Sequence, residues 1–537
     1  MTAPARRRSV WAWGFEDRFP DDAARRGLAQ LARALLPHSE PELARLPDAD
    51  PKLPAPAIAC PPALAAIASD APLDRAAHRR GKSYPDLVAG LRGDFGGAPD
   101  LVVRPRDDDE VARVLAECAA RRLAVIPFGG GTSVVGGVDS DLGALRDAFA
   151  GVVSLDLGEL SGLRELDERS RVARLGAGTT GPALEAALGQ RGLSLRCYPQ
   201  SFELSTLGGW LATRAGGHYA TGPTHIDELC QALTLITPRG TIATHRHPAS
   251  GAGPEPVRVA LGSEGALGII TEAWMRVVPR PVFRSSASVR FAAFADGVSA
   301  ARHLAQSGLV LANARLLDAA EARLHRVAFD GSSVLLLGAE SADHPVAATL
   351  ERAIALAAEC GGELRGAPRH RDDRARGGAD DADAWRKAFL DAPYLQSALV
   401  SLGLLCDTFE TACTWSAFDA MHRAIVAAVE EALRETCGGG VVSCRFTHLY
   451  PDGPAPYYTF LAPAARGGEL EQWRAVKAAA SDALAAHGGT ITHHHAVGRV
   501  HVPGYQREVP ELWRRGLAAL KDSWDPERLL NPGVLGL

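Results

Sequence analysis

The sequence offers no way to pair its cysteines. The nine are scattered through 537 residues, their number is odd and no Cys-x-x-Cys spacing occurs. That excludes a disulfide framework and a thiolate zinc site, and it fits reduced thiols in a cytosolic protein. Long apolar runs are missing too, since nothing approaches the ~18 residues of a membrane-crossing helix. Met1 to Ser9 carries three arginines with no apolar stretch behind them, unlike a secretory signal. A basic excess is also lacking: the formal net charge is −5, so nucleic acid is not an expected partner. These absences predict a soluble, cytoplasmic protein, with peripheral contact at the inner face of the membrane left open.

The length calls for two or three domains, and a hydrophobic content of 46% with 23% charged residues is ordinary for a globular enzyme. Residues 1–95, rich in Ala, Arg and Pro, read as a helical arm. Asp21 to Leu36 has helical spacing with Leu28, Leu31 and Leu35 on one side. Trp11, Trp13 and Phe15 follow Arg6-Arg7-Arg8. Aromatics beside basic residues suit a membrane interface, but with no long amphipathic helix nearby the preferred reading is an arm packed on the main body.

Beyond residue 100 the pattern becomes regular. Leu101-Val102-Val103 reads as a strand, and Asp107-Asp108-Asp109-Glu110 opens a helix with Val111, Val114, Leu115 and Cys118 as its stripe. The next strand, Leu123-Ala124-Val125-Ile126, runs into Pro127-Phe128-Gly129-Gly130-Gly131-Thr132-Ser133. Consecutive glycines let backbone N–H groups converge on an anion, with phosphate as the default ligand. The loop has no Lys for a Walker motif, and Val134 stands where a dinucleotide fingerprint needs its third Gly. A second β-α-β unit is expected from strand Val172 to Leu175, helix Pro182 to Gln190 and strand Leu193 to Cys197, followed by a hairpin around Pro238-Arg239-Gly240.

Further segments share the loop's chemistry: Gln200-Ser201-Phe202-Glu203-Leu204-Ser205-Thr206, then Thr213-Arg214-Ala215-Gly216, then Gly262-Ser263-Glu264-Gly265-Ala266-Leu267-Gly268. Small and hydroxylated stretches recurring within ~140 residues suggest one extended ligand lying along several backbone surfaces. Together they resemble the FAD-binding domain of the vanillyl-alcohol oxidase and p-cresol methylhydroxylase (PCMH) superfamily, and Asp525-Pro526-Glu527-Arg528-Leu529-Leu530-Asn531-Pro532-Gly533 resembles its terminal motif. The resemblance implies an α+β fold with a two-subdomain PCMH-type FAD-binding domain at 96–281. An α/β cap domain at 282–470 would follow the break at Pro279-Arg280-Pro281. A C-terminal helical and His-loop segment at 471–537 would return to the first domain. It also implies that these segments hold FAD, non-covalently, because the glycine loop contains no His. Arg369 to Asp383 reads as a charged loop without chemistry of its own.

His493-His494-His495 follows Gly488-Gly489-Thr490-Ile491-Thr492. In a strand, 493 and 495 would face one side and 494 the other, so a flat ladder cannot aim all three at one site. With no second His pair in the sequence, no metal is expected. The stretch is similar to the triple-His loop of the alkyldihydroxyacetonephosphate synthase family of ether-lipid enzymes, whereas the related D-lactate and 2-hydroxyglutarate dehydrogenases carry Glu-His-Gly there. Phe409-Glu410-Thr411 with Trp415, and Ser443-Cys444-Arg445, support the same resemblance.

That resemblance implies an exchange without net redox change. The acyl group of a 1-acyl-dihydroxyacetone phosphate leaves as fatty acid, a long-chain alcohol replaces it, and the substrate carbon is held at flavin N5 meanwhile. Carried over, Tyr457 is the acid/base, His493, His494 and His495 shape the site, and Arg315 supports activity. A phenol, at a reference pKa of ~10, needs cationic or hydrogen-bonding neighbours for that work, and His495 and the flavin environment are the expected ones. Where the family grips the substrate phosphate with an Arg, this chain has Gln396. Losing such a charge-assisted contact costs a few kcal/mol unless Arg386, Lys387 or Arg445 replaces it. A lipid-like small molecule and a second copy of the chain are the expected partners. The second reading is an FAD-dependent dehydrogenase or oxidase of a 2-hydroxy acid or alcohol, and the third a flavin-binding protein without catalysis.

Overall fold

The computed structural model describes residues 6–48, 50–219, 221–222, 224–373 and 392–537. Its first layer is built on the glycine-loop strand. The helix Asp108–Arg121 starts where the Asp107 side chain accepts from the Glu110 N–H at 2.8 Å, and it stops at Arg122, whose φ of +52° turns the chain. Its stripe of Val111, Val114, Leu115 and Cys118 is buried against a sheet in which Gly151–Asp156 lies between Leu101–Val103 and Leu123–Phe128, parallel to both. Leu123 to Ile126 is wholly buried, as a parallel strand covered on both faces should be. Its free edge is closed by the end of the chain: the Val125 N–H donates to Leu529 O at 2.9 Å and the Asn531 N–H to Val125 O at 2.8 Å.

The second sheet is antiparallel, in the order Leu163–Asp167, Val172–Gly176, Ile269–Arg276, Cys230–Thr237, Gly240–Ala243. This corrects the second β-α-β unit. Val172–Gly176 pairs antiparallel with Ile269–Arg276, and the strand after the helix Gly181–Gly189 shrinks to Leu193–Ser194, which pairs with Val278–Pro279 instead. Arg196, at φ +60°, turns the backbone away before a longer strand can form. The hairpin Cys230–Thr237 to Gly240–Ala243 forms as the turn residues direct.

The third sheet carries Phe283–Phe291, Ser333–Ser341, Asn313–Leu317, Val441–Leu449, Pro454–Pro463 and Leu404–Glu410 in that order. The helices Phe294–Gln306, Ala347–Glu359, Trp415–Cys437 and Glu469–Ala486 share with it one continuous apolar core. Glu469–Ala486 packs on Trp415–Cys437, so the chain rejoins the glycine loop only after the histidines. Arg369–Asp372, expected as loop, is a short strand paired with Phe283–Phe291. The remainder of that expected loop, 374–383, lies outside the described residues, and so do Arg386 and Lys387.

The N-terminal arm is packed, not free. Trp11 and Trp13 are buried, and the Trp13 N–H donates to Ser397 Oγ at 2.9 Å. The helix Asp22–Leu35 buries Arg25, Ala29 and Ala32, while Leu31 remains 38% exposed. The inward face is therefore offset from the leucine stripe, because small residues let the helix approach the body closely. No described helix is long and apolar enough to cross a membrane.

The terminal motif is secured by a buried ammonium. Lys521 Nζ donates to Asp525 Oδ2 at 2.6 Å, Ala266 O at 2.7 Å and Leu530 O at 2.7 Å, and Asp525 also accepts from the Leu529 and Leu530 N–H groups. Removing one member of a buried pair strands the other charge. Lys521→Ala should therefore lower stability by about 3 kcal/mol, read as a shift of the urea or thermal unfolding midpoint of the FAD-loaded protein.

Candidate active site

One cavity runs between the glycine loop and the third sheet. Its floor is backbone. A Cβ on Gly129 would stand 2.3 Å from Thr206 Oγ1, one on Gly130 2.3 Å from Leu204 O, and one on Gly131 2.4 Å from the Phe128 ring. No residue but Gly fits there, so the backbone itself forms this part of the cavity wall. Gly129 to Ser133, Gln200, Ser201, Ser205, Thr206, Thr213, Ala215 and Gly216 all line it. This cradle fits the extended ligand read from the sequence, a dinucleotide such as FAD.

The other sequence candidates lie behind that wall. Pro127 and Phe128 end the strand, and Pro127 meets Gly265, whose Cβ would come within 2.6 Å of the Pro ring. Phe202 packs on Trp210, and Leu204 joins the large core. Glu203 accepts from Arg18 Nη1 at 3.0 Å and from the Tyr394 hydroxyl at 2.5 Å. Arg214 leans on Gly262 and pairs with Asp227. Buried Glu264 accepts the Val497 and Gly498 N–H groups, and burial pushes its pKa up to about 7. Ser263, Ala266, Leu267 and Gly268 are not on the cavity wall either. Hydroxyl and glycine content marks close backbone packing as readily as ligand contact, which is why composition could not separate the two groups.

The roof is the histidine loop, and it is not a strand. Glu410, at the end of Leu404–Glu410, accepts the N–H groups of His493, His494 and His495 at 2.5, 3.1 and 2.9 Å, together with Thr492 Oγ1 at 2.6 Å. Burial opposes its ionisation, but the N–H and hydroxyl donors gathered on it favour the carboxylate and hold its pKa low. Next to it, Thr411 Oγ1 donates to Thr490 O at 2.6 Å. Winding around one carboxylate overrides the strand alternation assumed from the sequence. His494 and His495 face the cavity, and His493 turns away to Tyr450, whose hydroxyl is 2.7 Å from His493 Nε2. Burial lowers the pKa of all three rings, well below the usual value for His493 and His494.

Tyr457 stands between floor and roof. Its ring stacks on His494 at 5.9 Å and meets His495 edge-on at 5.5 Å, and its hydroxyl donates to Thr408 Oγ1 at 2.9 Å. The Arg445 guanidinium lies 3.9 Å from the ring centroid and joins His495 as a neighbour of the phenol; burial lowers the His495 pKa, whereas a guanidinium stays charged. Arg445 is itself paired with Glu321, which also accepts from Ser443 Oγ at 2.5 Å. Burial raises the Tyr457 pKa, and Arg445 works against that rise. Arg315 is buried beside Arg445, and burial with that like charge brings its pKa down to about 9.

Gln396 lines the cavity with its amide fully engaged. Oε1 accepts from Trp13 Nε1 at 3.2 Å, and Nε2 donates to Cys406 O at 3.0 Å and Asp407 Oδ1 at 3.4 Å. It ties the arm to the third sheet. Sequence reasoning missed His448, Tyr450, His225 and Thr408. They are scattered singly along the chain, and only the fold brings them beside the loop. His448, His493 and His494 approach one another closely enough to suggest a metal site. His448 Nε2 is not available to a metal, because that nitrogen must donate to Gly217 O at 2.8 Å.

Known proteins with this arrangement are flavoproteins. A family model described as an FAD binding domain matches residues 99–245, and one described as the C-terminal domain of FAD linked oxidases matches 280–535. Alkyldihydroxyacetonephosphate synthase of Dictyostelium discoideum is 29% identical over 481 residues, covering 87% of this chain and 78% of its own. The synthase of Trypanosoma brucei brucei is 28% identical over 477 residues, covering 86% and 77%. Glycolate oxidase subunit GlcD of Bacillus subtilis is 24% identical, covering 82% and 90%. A solved structure of alkyldihydroxyacetonephosphate synthase in P1 superposes with a TM-score of 0.77 at 23% identity, covering 98% of both chains. That of 4-ethylphenol oxidase from Gulosibacter chungangensis, in its isoeugenol complex, reaches 0.65 at 13% identity, covering 88% of this chain and 94% of its own. These two likenesses are ones of fold. Glycine cradle, domain models and relatives agree: the chain is an FAD-binding protein that carries an FAD binding domain and the C-terminal domain of FAD linked oxidases, and it is similar over most of its length to alkyldihydroxyacetonephosphate synthases.

Proposed function

We propose that this flavoenzyme exchanges the acyl group of a 1-acyl-dihydroxyacetone phosphate for a fatty alcohol, forming an ether. The observation that carries the reading is the meeting of Tyr457 with His494 and His495 across the cavity from the glycine cradle. Bound FAD supplies an electron-poor ring that activates the substrate's C1. The protein contributes the rest. Leu395, Leu399 and Leu461 line the cavity with Trp13, and Leu395 is 40% exposed at its mouth, which suits an alkyl chain. With the Gln396 amide engaged, Arg315 and Arg445 are the arginines on the described wall, and they receive the phosphate.

Tyr457 holds its proton in the resting site and exchanges it with C1, its hydroxyl oriented by Thr408. The C1–O bond to the acyl group breaks with its electron pair on the departing carboxylate. The alcohol oxygen then forms the new bond to C1 and gives up its proton. The buried histidines, neutral near pH 7, exclude water and orient the phenol. We infer a domain organisation in which residues 96–281 hold FAD and 282–470 cap the substrate.

Incubation with acyl-dihydroxyacetone phosphate and labelled hexadecanol should yield labelled ether with the flavin oxidised at the end; bleaching by 2-hydroxy acids without ether would overturn the reading. Tyr457→Phe should lower kcat by about 10³-fold and leave the FAD spectrum intact. Gly130→Ala, whose Cβ meets Leu204 O at 2.3 Å, should purify colourless and fail to take up added FAD. The pH profile follows from burial, which lowers the pKa of His493, His494 and His495. The neutral rings persist on acidification past the usual imidazole value, so kcat should show no inflection between about pH 6 and 8. Steady-state rates across that range check it.

A further inference from the structure

The proposed exchange consumes an alcohol and releases a carboxylic acid that ionises near neutrality, so one proton must leave the cavity in every cycle. We propose that it leaves along a file of three histidine rings, His494, His493 and His225, that ends at Asp227, buried beneath the exposed side chains of Arg214 and Arg258; the inference rests on the reading of the reaction given above.

The file is continuous through the second nitrogen of each ring. His494 lines the cavity against Tyr457. Its Nδ1 lies 2.9 Å from His493 Nδ1, and His493 Nε2 lies 3.0 Å from His225 Nε2. Both are hydrogen-bond distances, so each pair shares one proton. His225 Nδ1 faces Asp227 Oδ1 at 3.9 Å, and neither atom has a hydrogen-bond partner. A small rotation of the ring closes that gap. Asp227 Oδ2 is held by Arg214 at 3.2 Å and Arg258 at 2.9 Å, whose side chains are 58% and 52% exposed. The terminus of the file therefore borders solvent.

One assignment of protons satisfies every contact. His494 carries its proton on Nδ1 and leaves Nε2 toward the cavity as acceptor. His493 carries its proton on Nε2 and His225 on Nδ1. A proton arriving at His494 Nε2 releases the Nδ1 proton to His493, which releases its Nε2 proton to His225, which releases its Nδ1 proton to Asp227. No charge is created beyond the one that enters. The Tyr450 hydroxyl, 2.7 Å from His493 Nε2, accepts a share of that N–H and passes its own hydrogen bond to Thr224 Oγ1 at 2.9 Å. Burial lowers the pKa of all three rings, which disfavours retention of a proton on the file. Glu228, which accepts the His225 and Thr224 N–H groups, fixes the outer end.

Two measurements test the file. In FAD-loaded protein labelled with 15N-histidine, couplings across hydrogen bonds should link the ring nitrogens of His494 with His493 and of His493 with His225. Their absence overturns the file whatever the substrate is. In the ether-forming assay, His225→Phe should lower kcat about 10-fold and enlarge the solvent deuterium isotope effect, with KM and FAD affinity within about twofold and with partial rescue by added imidazole. An unchanged kcat would overturn the proposal. His225→Asn, which retains a polar side chain, and Asp227→Asn serve if the Phe variant does not fold, and both should slow turnover in the same sense. Failure of the wild type to make ether would defeat the reading of the reaction, and the nitrogen couplings would still decide the file.

Discussion

A buried carboxylate that collects three consecutive backbone N–H groups leaves the loop carrying them almost no freedom. Glu410 does this to His493, His494 and His495, and most of the site depends on it. The bond directs two rings onto Tyr457 and the third onto Tyr450 and His225. Because Glu410 ends a strand paired with Pro454–Pro463, directly opposite Tyr457, one ladder position sets the distance from phenol to histidine loop. The loop and the acid/base candidate are thus mounted on neighbouring strands of one rigid sheet, which is the way to hold reacting groups in register.

The cofactor side is organised by backbone alone. The loop 129–131 rests on Leu204, Thr206 and Phe128 at distances that exclude any side chain. Behind it, Asn531 Nδ2 donates to Gly137 O and Glu264 O, and Lys521 binds Ala266 and Leu530. The terminal motif therefore works as a brace for the glycine loop and for the turn at 262–268. Its polar residues are spent on carbonyls, and that explains why so many charged and amide groups are tolerated with full burial.

The arm adds a third support. The Trp13 indole and the Gln396 amide bind each other at the cavity wall, and Arg8 Nη2 donates to Gly130 O at 2.6 Å. The cluster of arginines and aromatics at the start of the chain thereby connects the glycine loop to the third sheet. The same residues in an unpacked arm would resemble a membrane anchor. Burial of Trp11 and Trp13 is what distinguishes the two.

How much of this was legible beforehand varied with the range of the interactions involved. The glycine loop, the helix Asp108–Arg121 with its Asp107 cap, the hairpin after Cys230 and the helix Asp22–Leu35 follow from local rules: caps, periodicity and turn residues act within a few positions. The histidine run and Tyr457 were visible as residues, but their orientation was not. A strand would have split the rings between two faces, and a carboxylate more than eighty positions away, Glu410, gathered them otherwise. The same holds for the pairing of Val172–Gly176 with Ile269–Arg276, for the capture of the Gln396 amide by Trp13, and for the meeting of His225 with His493. The sequence by itself determined where backbone must approach a ligand closely, because only glycine permits it. Which side chains face that ligand was decided by tertiary structure, because contacts between residues far apart in the chain depend on sheet order and register, and no local pattern encodes these.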